Sequence, residues 1–313
     1  DCDVRMNAEI KTGIIFGGII IAVIIFLSIL FIGLDESASI NQDSGIKKAP
    51  NLVGISHYLN ISSEELTKKM DNKVILYDIW TYSCINCIRT LPFITSWDEK
   101  YSEQGLLIIG IHSPEFEFEK DPQNVKIAIE KYGITYPVVM DNNMETWKAF
   151  ENNYWPRKYI ADHEGNLRYD HIGEGSYQET EKVIQQLLDE RSIALGIENI
   201  SENKLVTIEE FEHTLFRTPE LYFGYKFAQN RNQLGSDEGF QPERIVKYSE
   251  PNNIELNKFY PIGNWKNHED SMQLTEEVGS IIVSFDAKEV NIVTENNAQL
   301  EIFLDSKPLS KKY

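Results

Sequence analysis

Two of the chain's three cysteines stand together in the stretch Trp80-Thr81-Tyr82-Ser83-Cys84-Ile85-Asn86-Cys87. A thiol reacts as its thiolate, and a cysteine in the first turn of a helix gains from the positive helix end and from free backbone N–H groups. Cys84 would hold that place. Cys87, three residues on, would share its face of the helix and lie within reach of the first sulfur. Two sulfurs so placed can close and open a disulfide. The same spacing also occurs in half of a zinc site, but a tetrahedral site needs four ligands, and the sequence has no second cysteine pair or closely spaced histidine pair. A third reading leaves both cysteines buried and inert, as free cysteines often are. It gives no reason for their standing where a strand runs into a helix.

The elements that must position this stretch follow from hydrophobic periodicity. Residues Lys73 to Trp80 (KVILYDIW) form an apolar run of strand character, and Cys87 to Tyr101 has helical spacing interrupted by Pro92. Leu106 to His112 reads as a second buried strand, Asn124 to Tyr132 as a helix, Tyr136 to Met140 as a strand and Met144 to Phe150 as a short helix. Alternation of strand and helix predicts a mostly parallel sheet. Arg157 to Ala161 and Leu167 to Ile172, joined by His163-Glu164-Gly165-Asn166, read as an antiparallel hairpin. Ser176 to Glu190 reads as a capped amphipathic helix that closes the unit. Beyond Ser192 the segments Ile281 to Phe285, Glu289 to Thr294 and Gln299 to Leu304 alternate apolar and polar residues, which predicts an all-β second domain.

With 313 residues the chain can bury two modest cores. Acidic residues outnumber basic ones by 49 to 30, and a net charge of −19 repels phosphate backbones, which excludes a nucleic-acid partner. Residues Ile14 to Leu34 carry no charge and are long enough to cross a bilayer, so they read as a retained single-pass anchor. Arg5 and Lys11 precede this segment and Asp35 and Glu36 follow it, which places the N-terminus in the cytoplasm and the bulk of the chain outside. The expected division is a cytoplasmic N-terminus (1–13), a transmembrane helix (14–34), a polar tether (35–51), a first folded domain (52–192) and a β-domain (193–313) that looks cut short. Cys2 falls on the far side of the anchor from the other two cysteines.

The segment ILYDIWTYSCINC resembles the active-site region of the thioredoxin superfamily, where a strand ending in a buried acid and an aromatic precedes CxxC. Asp78, six residues before Cys84, matches the buried acid, and Pro92 matches the kinked active-site helix. Tyr154-Trp155-Pro156-Arg157-Lys158-Tyr159 resembles the cis-proline loop, and YPVVMDNN with ADHEGNLR resembles the TlpA and thiol-peroxidase-like branch. From Leu52 to the C-terminus, WTYSCINC, IGIHSPEFEFEKDPQNV, DNNMETW, NNYWPRKYIAD and TPELYFG are similar to the extracytoplasmic part of DipZ-like proteins. The resemblance implies an α/β architecture. A thioredoxin-like three-layer domain with a central mixed sheet would follow one transmembrane helix and precede an all-β domain similar to a carbohydrate-binding sandwich.

The resemblance also implies roles. Cys84 attacks and Cys87 resolves, the two closing a Cys84–Cys87 disulfide, while Asp78 either takes the proton from Cys87 or is a structural carboxylate held by a hydrogen bond. Pro156, in the cis form, turns the backbone of Trp155 toward the sulfurs to pair with an extended substrate, and Trp80 and Ser83 complete the substrate-binding surface. No cofactor and no metal is implied. The implied partners are thiols and disulfides of exported proteins and a separate membrane electron donor or acceptor, because DipZ-like proteins carry a multi-span electron-conducting domain where this chain has one span. In the superfamily Trp more often stands where Ser83 does.

The function expected from these residues is a membrane-anchored, extracytoplasmic thiol-disulfide oxidoreductase. A thiol peroxidase is a rival, since Thr81 to Cys84 supplies T-x-x-C, although Tyr77 stands where that motif wants proline. A surface glycan- or protein-binding module is another, with Phe259, Tyr260 and Trp265 docking the ligand and a static disulfide. Glu115, Glu117 and Glu119 read either as an acidic lip or as one solvated face, and His112, His163 and His171 read as structural.

Overall fold

The computed structural model describes residues 47–197, 204–211, 218–294 and 299–309. Cys2, the segment 14–34 and most of the tether lie outside the described residues. Among the described residues no helix is long and apolar enough to cross a membrane.

The first unit runs β1 (His57–Leu59), α1 (Ser63–Lys69), β2 (Val74–Trp80), α2 (Ile85–Tyr101), β3 (Leu106–His112), a 3-10 turn (Glu117–Lys120), α3 (Pro122–Tyr132), β4 (Val138–Met140), α4 (Glu145–Ala149), β5 (Arg157–Ala161), β6 (Leu167–Ile172) and α5 (Tyr177–Leu195). The six strands lie in the order β1-β4-β3-β2-β5-β6. β2 pairs parallel with β3, and β3 with β4. The pairings β2–β5, β5–β6 and β1–β4 are antiparallel. The sheet is therefore mixed rather than mostly parallel. Parallel neighbours need a helical crossover, which α2 and α3 supply, whereas the β5–β6 hairpin enters on the other side of β2.

Every residue of β2 and β3 is buried, because helices cover both faces of the sheet, and this is why both strands read as unbroken apolar runs. Leu76, Trp80 and Ile108 face a core built with Leu91, Ile94 and Trp97 of α2 and Val183, Ile184 and Leu187 of α5. Ile75, Tyr77 and Ile79 face a second core with Leu66 of α1 and Trp147 of α4. At about 1.5–3 kcal/mol per fully buried large apolar side chain, these two layers fix the end of β2, and with it the start of α2. Gly110 of β3 stands beside Asp78, and a Cβ there would lie 3.0 Å from Trp80 Nε1 and 3.2 Å from Tyr136 Cε2, so glycine leaves room for both rings.

The C-terminal region is β-rich rather than all-β. It holds a short helix α6 (Tyr225–Ala228) and strands β7 (Ile245–Tyr248), β8 (Lys258–Asn267), β9 (Met272–Leu274) and β10 (Ser280–Ser284), followed by a hairpin of β11 (Phe303–Leu304) and β12 (Lys307–Pro308). β8 is the hub, pairing antiparallel with β7, β9 and β10. No strand forms over 289–294, where Val290, Ile292 and Val293 are about half exposed, and the expected strand at 299–304 shrinks to β11. Alternation makes a strand only where a partner edge covers its apolar side. The residues between the two regions lie against the helices: Val206 N donates to the Glu181 carboxylate of α5, and the Arg89 guanidinium of α2 sits 3.6 Å over the Phe211 ring.

Candidate active site

β2 ends at Trp80, the chain turns through Thr81 to Ser83, and Cys84 is the N-cap of α2. Its sulfur accepts a hydrogen bond from the backbone N–H of Cys87 at 3.3 Å, in the way a capping side chain satisfies a free amide of the first turn. Both cysteines are free thiols, Cys84 partly exposed and Cys87 wholly buried. Burial pushes the Cys87 thiol well above its ordinary value, and the neighbouring Cys84 and the charge of Asp78 add to the rise. A thiol held this high needs a base beside it before it can attack.

Asp78 lies beneath α2, on the sheet face shared with Leu76 and Trp80. It has no exposed surface, and neither of its carboxylate oxygens has a hydrogen-bond partner. Burial pushes its carboxyl up to about 6, with the Lys158 ammonium pulling the other way. Lys158 is the direct cross-strand neighbour of Asp78, is also fully buried, and donates from Nζ to Gly173 O at 3.0 Å. Burial lowers its proton affinity, while Asp78, then Cys87 and Glu174, support its charge. Cys87, Asp78 and Lys158 thus share one apolar compartment. Sequence reasoning missed Lys158, whose inward direction follows only from the register of β5 against β2.

The Trp155–Pro156 peptide bond is cis, as expected. Trp155 is held by a hydrogen bond from Nε1 to Ser113 O at 2.9 Å and by its ring against Trp147, centroids 4.1 Å apart. Cys84 and Trp155 both pack on the core that contains Trp80 and Cys87, so the cysteine turn and the proline loop border the same patch. Trp80, expected on the substrate-binding surface, is corrected: it has no exposed surface and packs edge-on to His112 at 5.4 Å, supporting the turn from below. Ser83 is partly exposed, but its hydroxyl donates to Glu119 Oε1 at 2.5 Å.

Neither an acidic lip nor one solvated face describes the three glutamates. Glu119 is fully buried and accepts the backbone N–H groups of Glu115 and Phe116 on its second oxygen, at 2.6 and 2.9 Å. Glu117 is exposed and pairs with Lys120, and burial, then the nearby Glu220, push Glu115 up to about 7. His112 is structural: burial drives it down to about 3, Tyr82 stacks on it at 5.6 Å, and Thr81 Oγ1 lies 3.3 Å from its Nε2. Thr81 is itself fully buried and so offers a peroxide no hydroxyl. Phe259, Tyr260 and Trp265 are core side chains, which removes the aromatic platform of the glycan-binding reading. Among the described residues no group of His, Cys, Asp and Glu is arranged to hold a metal ion.

The Redoxin family profile matches residues 31–188, just over half of the chain, and the profile of a thioredoxin-like C-terminal domain matches residues 218–313. Protein DipZ of Mycobacterium bovis is 35% identical over 263 residues, which are 83% of this chain and 37% of that protein. The chain therefore spans little more than a third of the length of that relative. Thiol-disulfide oxidoreductase YkuV of Bacillus subtilis is 31% identical over 143 residues, 45% of this chain and 94% of that one. The solution structure of a thioredoxin-like protein in its oxidised form is 29% identical, with a TM-score of 0.42 over 46% of this chain and 97% of that one.

Proposed function

Since the chain belongs to the redoxin family, we propose that it is a thiol-disulfide oxidoreductase whose Cys84 and Cys87 exchange disulfides with polypeptide substrates. The observation that carries the reading is the N-cap geometry, with the partly exposed Cys84 sulfur 3.3 Å from the amide of the buried Cys87 at the start of α2.

Cys84 attacks one sulfur of the substrate disulfide as thiolate; the substrate S–S bond breaks, one substrate thiolate leaves and takes up a proton, and a mixed disulfide remains. Asp78 accepts the proton of Cys87. The Cys87 sulfur then displaces the second substrate thiolate from Cys84, so the protein's dithiol is oxidised to the Cys84–Cys87 disulfide and the substrate disulfide is reduced to two thiols. Run backwards, the same steps oxidise a substrate. An extended substrate lies against the backbone of Trp155 ahead of cis Pro156, in the manner of an added strand. The segment 14–34 anchors the chain in the membrane, the folded region faces outward onto exported proteins, and a separate membrane donor or acceptor resets the pair.

Reduction of insulin disulfides tests the reading. Cys84→Ser is expected to abolish it, while Cys87→Ser is expected to stop turnover and trap a mixed disulfide on Cys84. Full activity in both variants would end the proposal.

A further inference from the structure

Glu119 is a buried carboxylate in a connection that composition alone would leave in solvent, and its bonds reach the cysteine turn. One oxygen accepts the hydroxyl of Ser83, the residue before Cys84, and the other accepts the amides of Glu115 and Phe116. All three partners are donors, which suits an acceptor-only group, and breaking such bonds in a water-poor site is costly. Beside this knot the Phe116 and Phe118 rings stack at 5.5 Å and 6°, and Phe118 meets Tyr82 edge-on at 6.1 Å. Phe118 O accepts from Tyr82 OH at 3.4 Å and from Asn124 Nδ2 at 3.0 Å. All three rings are partly exposed. On the outer side of the same turn Glu117 N donates to Asp270 Oδ2 of the C-terminal region at 3.1 Å.

We propose that Glu119 is the positioning residue of the cysteine turn, holding the strip that runs from Tyr82, two residues before Cys84, through Phe118 to Phe116 as the wall against which a substrate polypeptide lays an apolar side chain adjacent to its disulfide. This deepens the oxidoreductase reading and rests on it. The step it governs is the first one: the Cys84 thiolate forms a bond to one substrate sulfur, the substrate S–S bond breaks, and the other sulfur leaves with the electron pair. Glu119 touches neither sulfur. It acts through Ser83 and through the placement of the rings.

The test uses the full chain carrying Cys87→Ser, so that the mixed disulfide on Cys84 accumulates. Its rate of formation is measured with hydroxyethyl disulfide, with a peptide disulfide bearing Phe next to the cysteine, and with the same peptide bearing Ser there. The parent is expected to favour the Phe peptide by about tenfold, equivalent to about 1.4 kcal/mol. Glu119→Ala is expected to lose that preference, its rate with the Phe peptide falling about tenfold more than its rate with hydroxyethyl disulfide. Glu119→Gln should restore it, because the amide oxygen can accept both backbone N–H groups while its NH₂ donates to Ser83 Oγ. Should Glu119→Ala fail to fold, Ser83→Ala cuts the same tie and leaves the two backbone bonds in place. A preference unchanged in every variant, or a loss of equal size with all three disulfides, overturns the proposal. A parent unreactive toward all three overturns the oxidoreductase reading itself and this inference with it.

Discussion

Replacing Asp78 by Asn is expected to make the protein more stable and less active at neutral pH. The carboxyl has no exposed surface and no hydrogen-bond partner, and burial raises it from 3.8 to about 6. In the unfolded chain the group returns to its ordinary value, so between about pH 4 and pH 6 the folded protein binds more protons than the unfolded one, and stability falls as pH rises through that window. A carboxyl raised from 3.8 to about 6, at about 1.4 kcal/mol per tenfold, makes the ionised Asp78 cost about 3 kcal/mol above pH 7. Asn keeps the shape and removes the charge, but it also takes away the largest support for the buried Lys158 ammonium. Because the value of about 6 already includes that attraction, the net gain is about 3 kcal/mol at pH 8 and vanishes below about pH 4. Guanidinium unfolding of the two reduced proteins at pH 4 and pH 8, followed by the fluorescence of the buried Trp80 and Trp97, measures it as a difference of differences in which the titrations of groups not coupled to Asp78 cancel. The same substitution should slow release of the mixed disulfide, because the raised Cys87 thiol loses its base. A variant equally stable with respect to the parent at both pH values, or less stable at pH 8, would refute the picture of an uncompensated buried carboxylate.

Lys158→Met removes the cation that pulls Asp78 down, so Asp78 should ionise at higher pH; the midpoint for release of the mixed disulfide, followed in single turnover across pH 5 to 9, is expected to move upward, and an unmoved midpoint would show that Lys158 is silent in the chemistry. Gly110→Ala puts a methyl group 3.0 Å from Trp80 Nε1 and 3.3 Å from Val138 Cγ2 between fully buried side chains. Urea unfolding should show a loss of about 1–3 kcal/mol from overpacking, and an unchanged midpoint would mean that the Trp80 and Tyr136 rings yield freely.

What the sequence disclosed and what it concealed divide along one physical line. Apolar periodicity reports burial, and where burial forces a structure the reading holds: KVILYDIW lies within one residue of β2 because helices cover both of its faces, and the hairpin flanking His163 to Asn166 has the bounds of β5 and β6. Periodicity does not report pairing. The short edge strand His57–Leu59, only one residue of which is buried, left no trace, while the alternation at 289–294 found no partner edge and made no strand. Charged residues inside the fold are the harder case, because their partners are distant in the chain. Glu119 sits in a Glu–Phe alternation that looks solvated, and what buries it is a hydroxyl 36 residues away together with two amides aimed by a turn. Lys158 follows the cis proline as one more polar residue of YWPRKY, and only the register Asp78 to Lys158 sets it against a carboxylate. The two sulfurs were legible because their spacing is local to one helical turn; the groups proposed to set their proton traffic and their substrate wall were not, because each depends on a contact made across the sheet or between connections.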